Sequence, residues 1–433
     1  METLQAKQKY SLLLSLYLAQ SIPMSFFSTV VPVIMRMENY SLASIGLLQL
    51  VKIPWILKFL WAPFIDRTAS ANHHYKRWII GSEVFYASII IAIGFFDLSS
   101  EFSTIIVLMI GAFIISATQD IASDALAVKI LATNQRSYGN SMQSAGSFLG
   151  TLIGSGVLLY LYAVIGWRNL LFALAAFVLL ALLPLRWIRK KPATRPVRKE
   201  RQGLRSIGGF FKQKGIGRRV VLLFLIYSGL IGMLAMMKPF MVDLGYSVKK
   251  IAFIAGIFGT AFGAAGAILA GHLIHIWGKK KSMKRFAFYG ASAALLMLLV
   301  SSSYTVPEWV IFVAVAMVWS AYSSASTVVY TISMETVRPG HEGTDYTLQI
   351  VISHLSGIIV AVGSGKLADI FGYQGLFTLE AGLGILFALL SGYLYREGKP
   401  VIKGKKVHPK NLQYLIKVHK QHFKEESEKT PVA

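Results

Sequence analysis

The chain contains 433 residues, of which 55% are hydrophobic and 15% are charged, and it has no cysteine. Because a soluble domain averages about 25% charged residues, this composition excludes a set of soluble domains and favours one large membrane-embedded unit. The lack of cysteine excludes disulfides, a thiolate nucleophile and cysteine-bound metals.

Twelve apolar runs are each long enough to cross a membrane, which takes about 20 residues. Every run is expected to be helical, since the hydrocarbon core offers no partner to unpaired backbone groups. In chain order, the predicted spans lie near 10–36, 42–64, 77–97, 102–128, 138–164, 169–188, 218–241, 250–276, 285–304, 308–336, 344–371 and 375–396. The sequence therefore predicts an all-α membrane protein with twelve transmembrane helices.

The basic residues indicate how the spans are oriented. The net charge is +24, and Lys and Arg cluster in one set of loops, notably from Arg186 to Arg219 and around Arg67, Arg77 and Lys129. A basic protein can bind nucleic acid, but this distribution is the positive-inside pattern of a bacterial inner-membrane protein. We therefore expect no nucleic-acid partner, and we expect both termini to face the cytoplasm.

A long polar segment divides the chain between the sixth and seventh spans. The predicted parts are an N-terminal six-helix half, a basic cytoplasmic linker, a C-terminal six-helix half and a basic cytoplasmic tail, at residues 1–188, 189–217, 218–398 and 399–433. The linker contains a short amphipathic stretch from Ile207 to Phe211, which we expect to lie on the membrane surface in contact with lipids.

The two halves repeat one another in sequence. GWRNLLF, which begins at Gly166, recurs as GYQGLF, which begins at Gly372, so a glycine opens both the sixth and the twelfth spans. Gln143 and Gln349 occupy the same offset in the fifth and eleventh spans. Two pseudo-symmetric six-helix halves, with a solute site between them near the membrane midplane, are the arrangement of the major facilitator fold.

Two motifs resemble those of the AmpG family of muropeptide permeases. KFLWAPFIDR (58–67) ends the second span, and ATQDIASDALAVKIL (117–131) ends the fourth. The resemblance implies a symporter that imports a bulky polar solute with the proton gradient and works as a monomer. In AmpG proteins this solute is N-acetylglucosamine–anhydro-N-acetylmuramic acid with its stem peptide.

Two related groups share these motifs and leave the cargo open. DALAVKIL followed by GNSMQSAG (139–146) also resembles the RhtX/FptX-type permeases, which import siderophores. The acetyl-CoA transporter family carries a related QDIxxD block. A muropeptide is therefore the first expectation, a siderophore is the alternative, and an acetyl-CoA transporter-like activity comes third.

Other classes of function fit this sequence less well. It has no G-x-x-x-x-G-K-[ST] phosphate loop, so we expect transport to draw on the proton gradient rather than on an ATPase of its own, with no cofactor and no metal. A membrane enzyme would need a cluster of His, Asp and Ser side chains at one membrane face, and the sequence shows no such cluster there. A sensor built on the transporter fold would need an added signalling domain, for which the tail is too short.

Asp120 and Asp124 lie one helical turn apart inside the fourth span, where a charged side chain costs roughly 2.5–3.5 kcal/mol on insertion scales. At a rise of about 1.5 Å per residue, Lys58 and Glu83 reach a similar depth in the second and third spans. We predict that these four residues form a charge network, because pairing reduces the cost of desolvation. Asp120 and Lys58 are expected to couple transport to protons or to contact the solute.

A second group of charges is expected to close the cytoplasmic end of the transporter. In the wider superfamily, an Asp–Arg pair after the second span often engages an acid at the end of the fourth. By this resemblance Asp66, Arg67 and Arg77 would form the cytoplasmic gate, with Asp124 as their partner.

Polar residues at mid-membrane depth are candidates for the solute cavity. Lys52 falls near the centre of the second span, where it would either pair with Asp120 or attract an anionic group of the solute. His354, near the middle of the eleventh span, is of a type that titrates near neutral pH. The remaining candidates, which would either join helices by hydrogen bonds or contact the solute, are Gln20, Gln49, Gln119, Gln143 and Gln349.

Overall fold

The fold is known from a computed structural model that describes residues 4–37, 51–69, 71–97, 100–188, 203–303 and 306–395. Within these ranges the chain forms helices joined by turns, and it contains no strand. The candidate residue Gln49, most of the predicted linker and the predicted tail lie outside them.

The N-terminal half is built from helices of very different lengths. They are α1 (Ala6–Ser25), α2 (Val31–Met37), α3 (Ile53–Leu57), α4 (Ala62–Thr68), α5 (Asn72–Ile93), α6 (Phe102–Ile130), α7 (Arg136–Leu152) and α8 (Leu158–Leu180). Wide π-helical turns at Phe26–Val30 and Ile153–Val157 carry α1 into α2 and α7 into α8. A 3-10 turn, Lys58–Leu60, separates α3 from α4.

The C-terminal half follows the same plan. After α9 (Arg205–Phe211), which belongs to the predicted linker, its helices are α10 (Ile216–Leu225), α11 (Ile231–Asp243), α12 (Val248–Ile251), α13 (Gly259–Trp277), α14 (Lys279–Ser302), α15 (Glu308–Ser333) and α16 (Glu342–Leu394). A π-helical turn at Ala252–Phe258 joins α12 to α13. α10 and α11 are separated by a break, with Gly229 at a φ of 82°.

Seven helical segments of the described residues are long and apolar enough to cross a membrane. Two of them, Thr133–Trp187 and Glu342–Leu394, contain 55 and 53 residues, more than twice the length that a bilayer requires. Each is interrupted at one glycine, Gly166 with a φ of 74° and Gly372 with a φ of 67°. Positive φ angles of this kind favour glycine, so the chain turns where the repeated motif begins. The count of twelve spans stays a prediction.

The amphipathic stretch of the linker packs on the protein. It forms α9, in which Phe210 is buried in a cluster with Leu348 of α16. The backbone carbonyl of Ser206 accepts a hydrogen bond of 2.8 Å from Arg338. The expectation that this segment lies on the membrane surface is therefore wrong for Phe210, because an apolar contact and an arginine hold α9 against the C-terminal half.

The two halves meet at one end of the bundle. We call this the basic end, because Arg67, Arg77, Lys129 and Lys279 lie there. One core cluster contains Ile121 of the N-terminal half together with residues of α15 and α16. α4 and α6 also pack against α16. The basic end is therefore closed by side chains from both halves.

Small residues allow close packing between the halves and within them. α7 packs against both α1 and α13. Gly146 and Gly150 of α7 approach α1 so closely that a Cβ atom there would press on Tyr17 and Ser21. Gly271 of α13 lies equally close to Ser141 of α7. These contacts place α1, which carries polar side chains, directly against the buried acids of α6.

Candidate functional site

The structure brings together the predicted pair of Lys58 and Asp120. Both side chains are buried, at 1% and 3% exposure of the residue, and they form an ion pair. The amide of Gln20 on α1 donates a hydrogen bond of 2.8 Å to the other carboxylate oxygen of Asp120. Because a buried ion pair repays its desolvation only with good geometry and further hydrogen bonds, Gln20 is part of what makes this pair tolerable.

Asp124 forms a separate hydrogen-bonded group. The hydroxyl of Tyr17 and the amide of Gln143 both donate to its carboxylate, the latter over 3.2 Å. Tyr346 of α16 in turn donates a hydrogen bond of 3.2 Å to the amide oxygen of Gln143. Asp124 therefore connects α1 and α7 and, through Gln143, reaches the C-terminal half.

The prediction that Asp124 partners the cytoplasmic gate is wrong. Asp120 and Asp124 are four residues apart and point to the same face of α6, which packs here on α1 and α7. On α1, Tyr17 and Gln20 are three residues apart and meet the two acids in turn. This matched spacing directs Asp124 away from Arg67 and Arg77.

Asp66 binds the N-terminus of α16. Its carboxylate accepts hydrogen bonds from the backbone N–H groups of Gly343 and Thr344, at 2.8 and 2.7 Å, and from the hydroxyl of Thr344 at 2.6 Å. Tyr75 donates a fourth, of 2.9 Å. The first N–H groups of a helix have no intrahelical partner and attract an anion, so Asp66 joins the halves at the basic end.

Of the residues predicted for the cytoplasmic gate, Asp66 makes this contact between the halves. Arg67 and Arg77 are both exposed. Arg67 follows Asp66 directly, and successive helical residues point about 100° apart, so the two side chains leave α4 in different directions.

Further ion pairs at the basic end were missed by the sequence analysis. Lys129 lies 3.9 Å from Glu342 of α16, and Arg338 binds Asp345 through two nitrogens at 2.6 and 2.8 Å. The signal for these contacts is the segment RPGHEGTD, in which Pro and Gly precede two acids. Such a pattern is typical of the start of a helix.

Glu83 does not join the Lys58–Asp120 pair, and this part of the predicted network is wrong. It is 1% exposed, and neither carboxylate oxygen has a hydrogen-bond partner within the described ranges. Its depth along the membrane was predicted, but depth does not fix the direction of a side chain around the helix axis. Tyr86 lies one helical turn from Glu83 on the same helix.

Of the other cavity candidates, His354 lies near the ion pair, and Lys52 begins the helix that precedes Lys58. His354 is half-buried on α16 and interacts electrostatically with both Lys58 and Asp120. Lys52 is half-buried at the start of α3. It is Lys58, rather than Lys52, that pairs with Asp120.

The glutamines divide into three groups. Gln20 and Gln143 bind the two acids of α6, and Gln119 is buried with both amide atoms unsatisfied. Gln349 is fully buried, and its amide oxygen accepts hydrogen bonds from Arg219 and from Thr336. Of the two roles expected for Gln349, the structure shows the joining of helices, because the buried guanidinium of Arg219 requires acceptors inside the C-terminal half.

Among the residues that the structure describes, no three His, Asp or Glu side chains converge as a metal site. What the geometry offers instead is one buried acid–base pair where the halves meet and a set of cross-half hydrogen bonds at the basic end.

The sequence profile of the Major Facilitator Superfamily matches residues 13–361 and 220–427. The chain belongs to the major facilitator superfamily. Its relatives and structural neighbours in this superfamily are membrane transporters rather than enzymes.

Two curated proteins with similar sequences are named as a permease and as a putative transporter. The anhydromuropeptide permease of Escherichia coli strain K12 is 25% identical over 269 residues, which are 61% of this chain and 55% of that protein. The match thus spans about half the length of the curated permease. The putative transporter AmpG 3 of Rickettsia typhi is 24% identical over 412 residues, which are 89% of this chain and 95% of that protein.

Solved structures of other superfamily members share the fold. The proton:xylose symporter XylE aligns with a TM-score of 0.66 over 91% of this chain and 96% of its own, at 14% identity. A bacterial homologue of the iron transporter ferroportin, in an outward-facing state, aligns with a TM-score of 0.68 over 90% of this chain and 99% of its own, also at 14% identity. At such identities the likeness concerns the fold alone.

Proposed function

We propose that this chain is a proton-coupled symporter that imports anhydro-muropeptides across the bacterial inner membrane. The cargo is supported by the similarity to the Escherichia coli permease and to the Rickettsia AmpG proteins. The coupling is supported by one observation, the buried Lys58–Asp120 pair beside His354 of the other half. By the positive-inside rule, the basic end faces the cytoplasm.

The Lys58–Asp120 pair links proton binding to rearrangement. When a proton binds Asp120, the carboxylate loses its charge, and the ammonium of Lys58 stays buried without a counter-charge. An uncompensated buried charge is strongly destabilising, so Lys58 then favours a position beside water or beside an anionic group of the solute. Stem-peptide carboxylates of a muropeptide provide such a group, which makes the binding of proton and solute mutually favourable.

Asp66 and the N-terminus of α16 form the cytoplasmic gate. While Gly343 and Thr344 donate to Asp66, the halves stay joined at the basic end, and the solute enters from the opposite side of the membrane. Loss of these hydrogen bonds allows the halves to separate there. The solute and the proton then leave towards the cytoplasm.

Uptake of labelled anhydro-disaccharide tripeptide tests both the cargo and the coupling. The chain is expressed in cells that lack their own muropeptide permease, and accumulation is measured with and without a protonophore. We expect accumulation that the protonophore abolishes. Absence of accumulation by a protein shown to be in the membrane would contradict the cargo, and accumulation that ignores the protonophore would contradict the coupling.

Asp120→Asn tests the residue assigned to coupling. We expect this variant to lose accumulation against a gradient and to lose the pH dependence of uptake. Glu308→Gln is the matched control, because Glu308 is an exposed acid at the opposite end, paired with Lys250 at 2.6 Å, and its uptake should equal that of the wild type. An Asp120→Asn protein with the wild-type rate and pH profile would show that Asp120 does not couple.

A further inference from the structure

Glu83 is the centre of a cluster of buried polar groups that lack partners. Neither of its carboxylate oxygens accepts a hydrogen bond within the described part of the chain. Both amide atoms of Gln119 are likewise unsatisfied. Most buried polar groups in folded proteins are hydrogen-bonded, so this concentration of exceptions between α5 and α6 indicates a bound species.

The register of the two antiparallel helices places these side chains together. On α5, Tyr86 lies one helical turn from Glu83. Across the interface, the hydroxyl of Tyr86 faces that of Ser116 on α6. Glu83 lies three residues nearer the basic end than Tyr86, and Gln119 lies three residues nearer than Ser116. At about 1.5 Å per residue, both steps cover about 4.5 Å in the same direction. Gln119 is therefore level with Glu83.

The charged groups on the surrounding helices are engaged elsewhere. On α6, Asp120 binds Lys58, Asp124 binds Tyr17 and Lys129 contacts Glu342. On α4, Asp66 binds the N-terminus of α16. On α8, Arg168 lies over the ring of Phe95, and on α5, Lys76 donates a hydrogen bond to the carbonyl of Ile188. Arg77 is exposed at the start of α5. The part of α8 in the shared core is apolar, with Leu171, Leu174 and Val178. Among the described residues, no cation is therefore seen to pair with Glu83.

We propose that Glu83 binds a proton and gives the N-terminal half a second proton site, separate from Asp120. An ionised Glu83 would be a buried charge without compensation, which is among the most costly groups that a protein can contain. A neutral carboxylic acid has one O–H donor and one carbonyl acceptor, and a primary amide such as that of Gln119 offers the complementary acceptor and donor.

A metal cation fits the same cluster less well. A divalent ion would meet a single carboxylate and keep an excess charge in the apolar core. A monovalent ion would balance the charge of Glu83, but it would have to give up its hydration shell in a core that is apolar on the side of α8, whereas a proton needs no coordination shell. The cost of desolvation thus favours a proton over sodium.

Infrared spectroscopy of the purified protein in potassium chloride at neutral pH tests this site directly. A protonated carboxylic acid shows a carbonyl stretch that a carboxylate lacks. We expect this band in the wild type and its loss in Glu83→Gln, which keeps the size and neutrality of the side chain. Asp345→Asn is the matched control, since Asp345 is a fully buried acid already paired with Arg338, and the band should remain. An identical band in the wild type and in Glu83→Gln would overturn the proposal.

Two further measurements keep the proposal testable if Glu83→Gln does not fold. Gln119→Leu and Tyr86→Phe remove polar groups that lie at the level of the acid or one turn from it, so each should shift the frequency of the band without abolishing it. An unshifted band in both variants would assign it to another residue. Replacing potassium with sodium chloride should leave the wild-type band unchanged, and its disappearance would show that the site binds sodium instead. These spectra need no solute, so they stand independently of the proposed cargo.

Discussion

At the scale of single residues, the buried charges of the N-terminal half separate into groups with different partners. Asp120 is satisfied by a cation and an amide, Asp124 by a hydroxyl and an amide, and Glu83 by no group within the described ranges. Helix rise predicted that these acids and Lys58 would share one depth. It did not predict which would meet, because the contact also depends on rotation about each helix axis and on the 3-10 turn that begins at Lys58.

A double substitution separates the structural role of the Lys58–Asp120 pair from its role in coupling. We expect Lys58→Met and Asp120→Asn each to lower the stability of the purified protein by about 3–5 kcal/mol, since each leaves one buried charge without a partner. The double variant has no charge to leave unpaired, so its thermal unfolding temperature should return towards that of the wild type, while proton-driven uptake stays absent. If the double variant is less stable than either single variant, the loss of stability in the single variants does not come from the charge that is left unpaired.

At the scale of helices, the gate shows what sequence motifs omit. The motif ending in Asp66 and Arg67 predicted a gate at this position, and charged side chains were the natural candidates for its partners. The observed partners are backbone N–H groups of α16, which every sequence contains and which become available only where a helix begins. The start of α16 at Glu342 was therefore the missing information, and the predicted eleventh span began two residues later.

Asp66→Asn should weaken this gate. The amide keeps an acceptor oxygen but loses the negative charge that the helix N-terminus favours, an effect worth about 0.3–1 kcal/mol at the surface and up to about 2 kcal/mol when partly buried. Because the chain has no cysteine, Thr347→Cys, at a fully buried position of α16, reports opening of the basic end by its reaction with a soluble maleimide. We expect faster labelling when Asp66→Asn is added, and no change when the exposed Arg77→Gln is added. Faster labelling after Arg77→Gln, with Asp66 intact, would support the arginine gate that the sequence predicted.

At the scale of the whole molecule, the two halves share backbone features at equivalent positions more closely than they share the charges bound there. Gln143 and Gln349 were predicted as equivalent positions, and each binds a buried charged side chain, but Gln143 donates to Asp124 while Gln349 accepts from Arg219. Glutamine suits both tasks because its amide has a donor and an acceptor. The two equivalent glutamines therefore bind opposite charges, an acid in the N-terminal half and a guanidinium in the C-terminal half.

The two break glycines test whether the halves also share their backbone requirements. Gly166 and Gly372 have φ angles of 74° and 67° with ψ near 180°, and nothing lies within 4 Å of the Cβ that an alanine would add. Any destabilisation by Gly166→Ala or Gly372→Ala thus comes from backbone strain, which costs of order 1–3 kcal/mol at such angles. Gly363→Ala, at a helical position of α16 with equal free space, should be neutral or stabilising, by up to about 1 kcal/mol. If both halves turn at a strained glycine, thermal unfolding of the variants should show equal decreases in unfolding temperature for Gly166→Ala and Gly372→Ala. A decrease in only one of them would mean that the repeated glycine is required in that half alone.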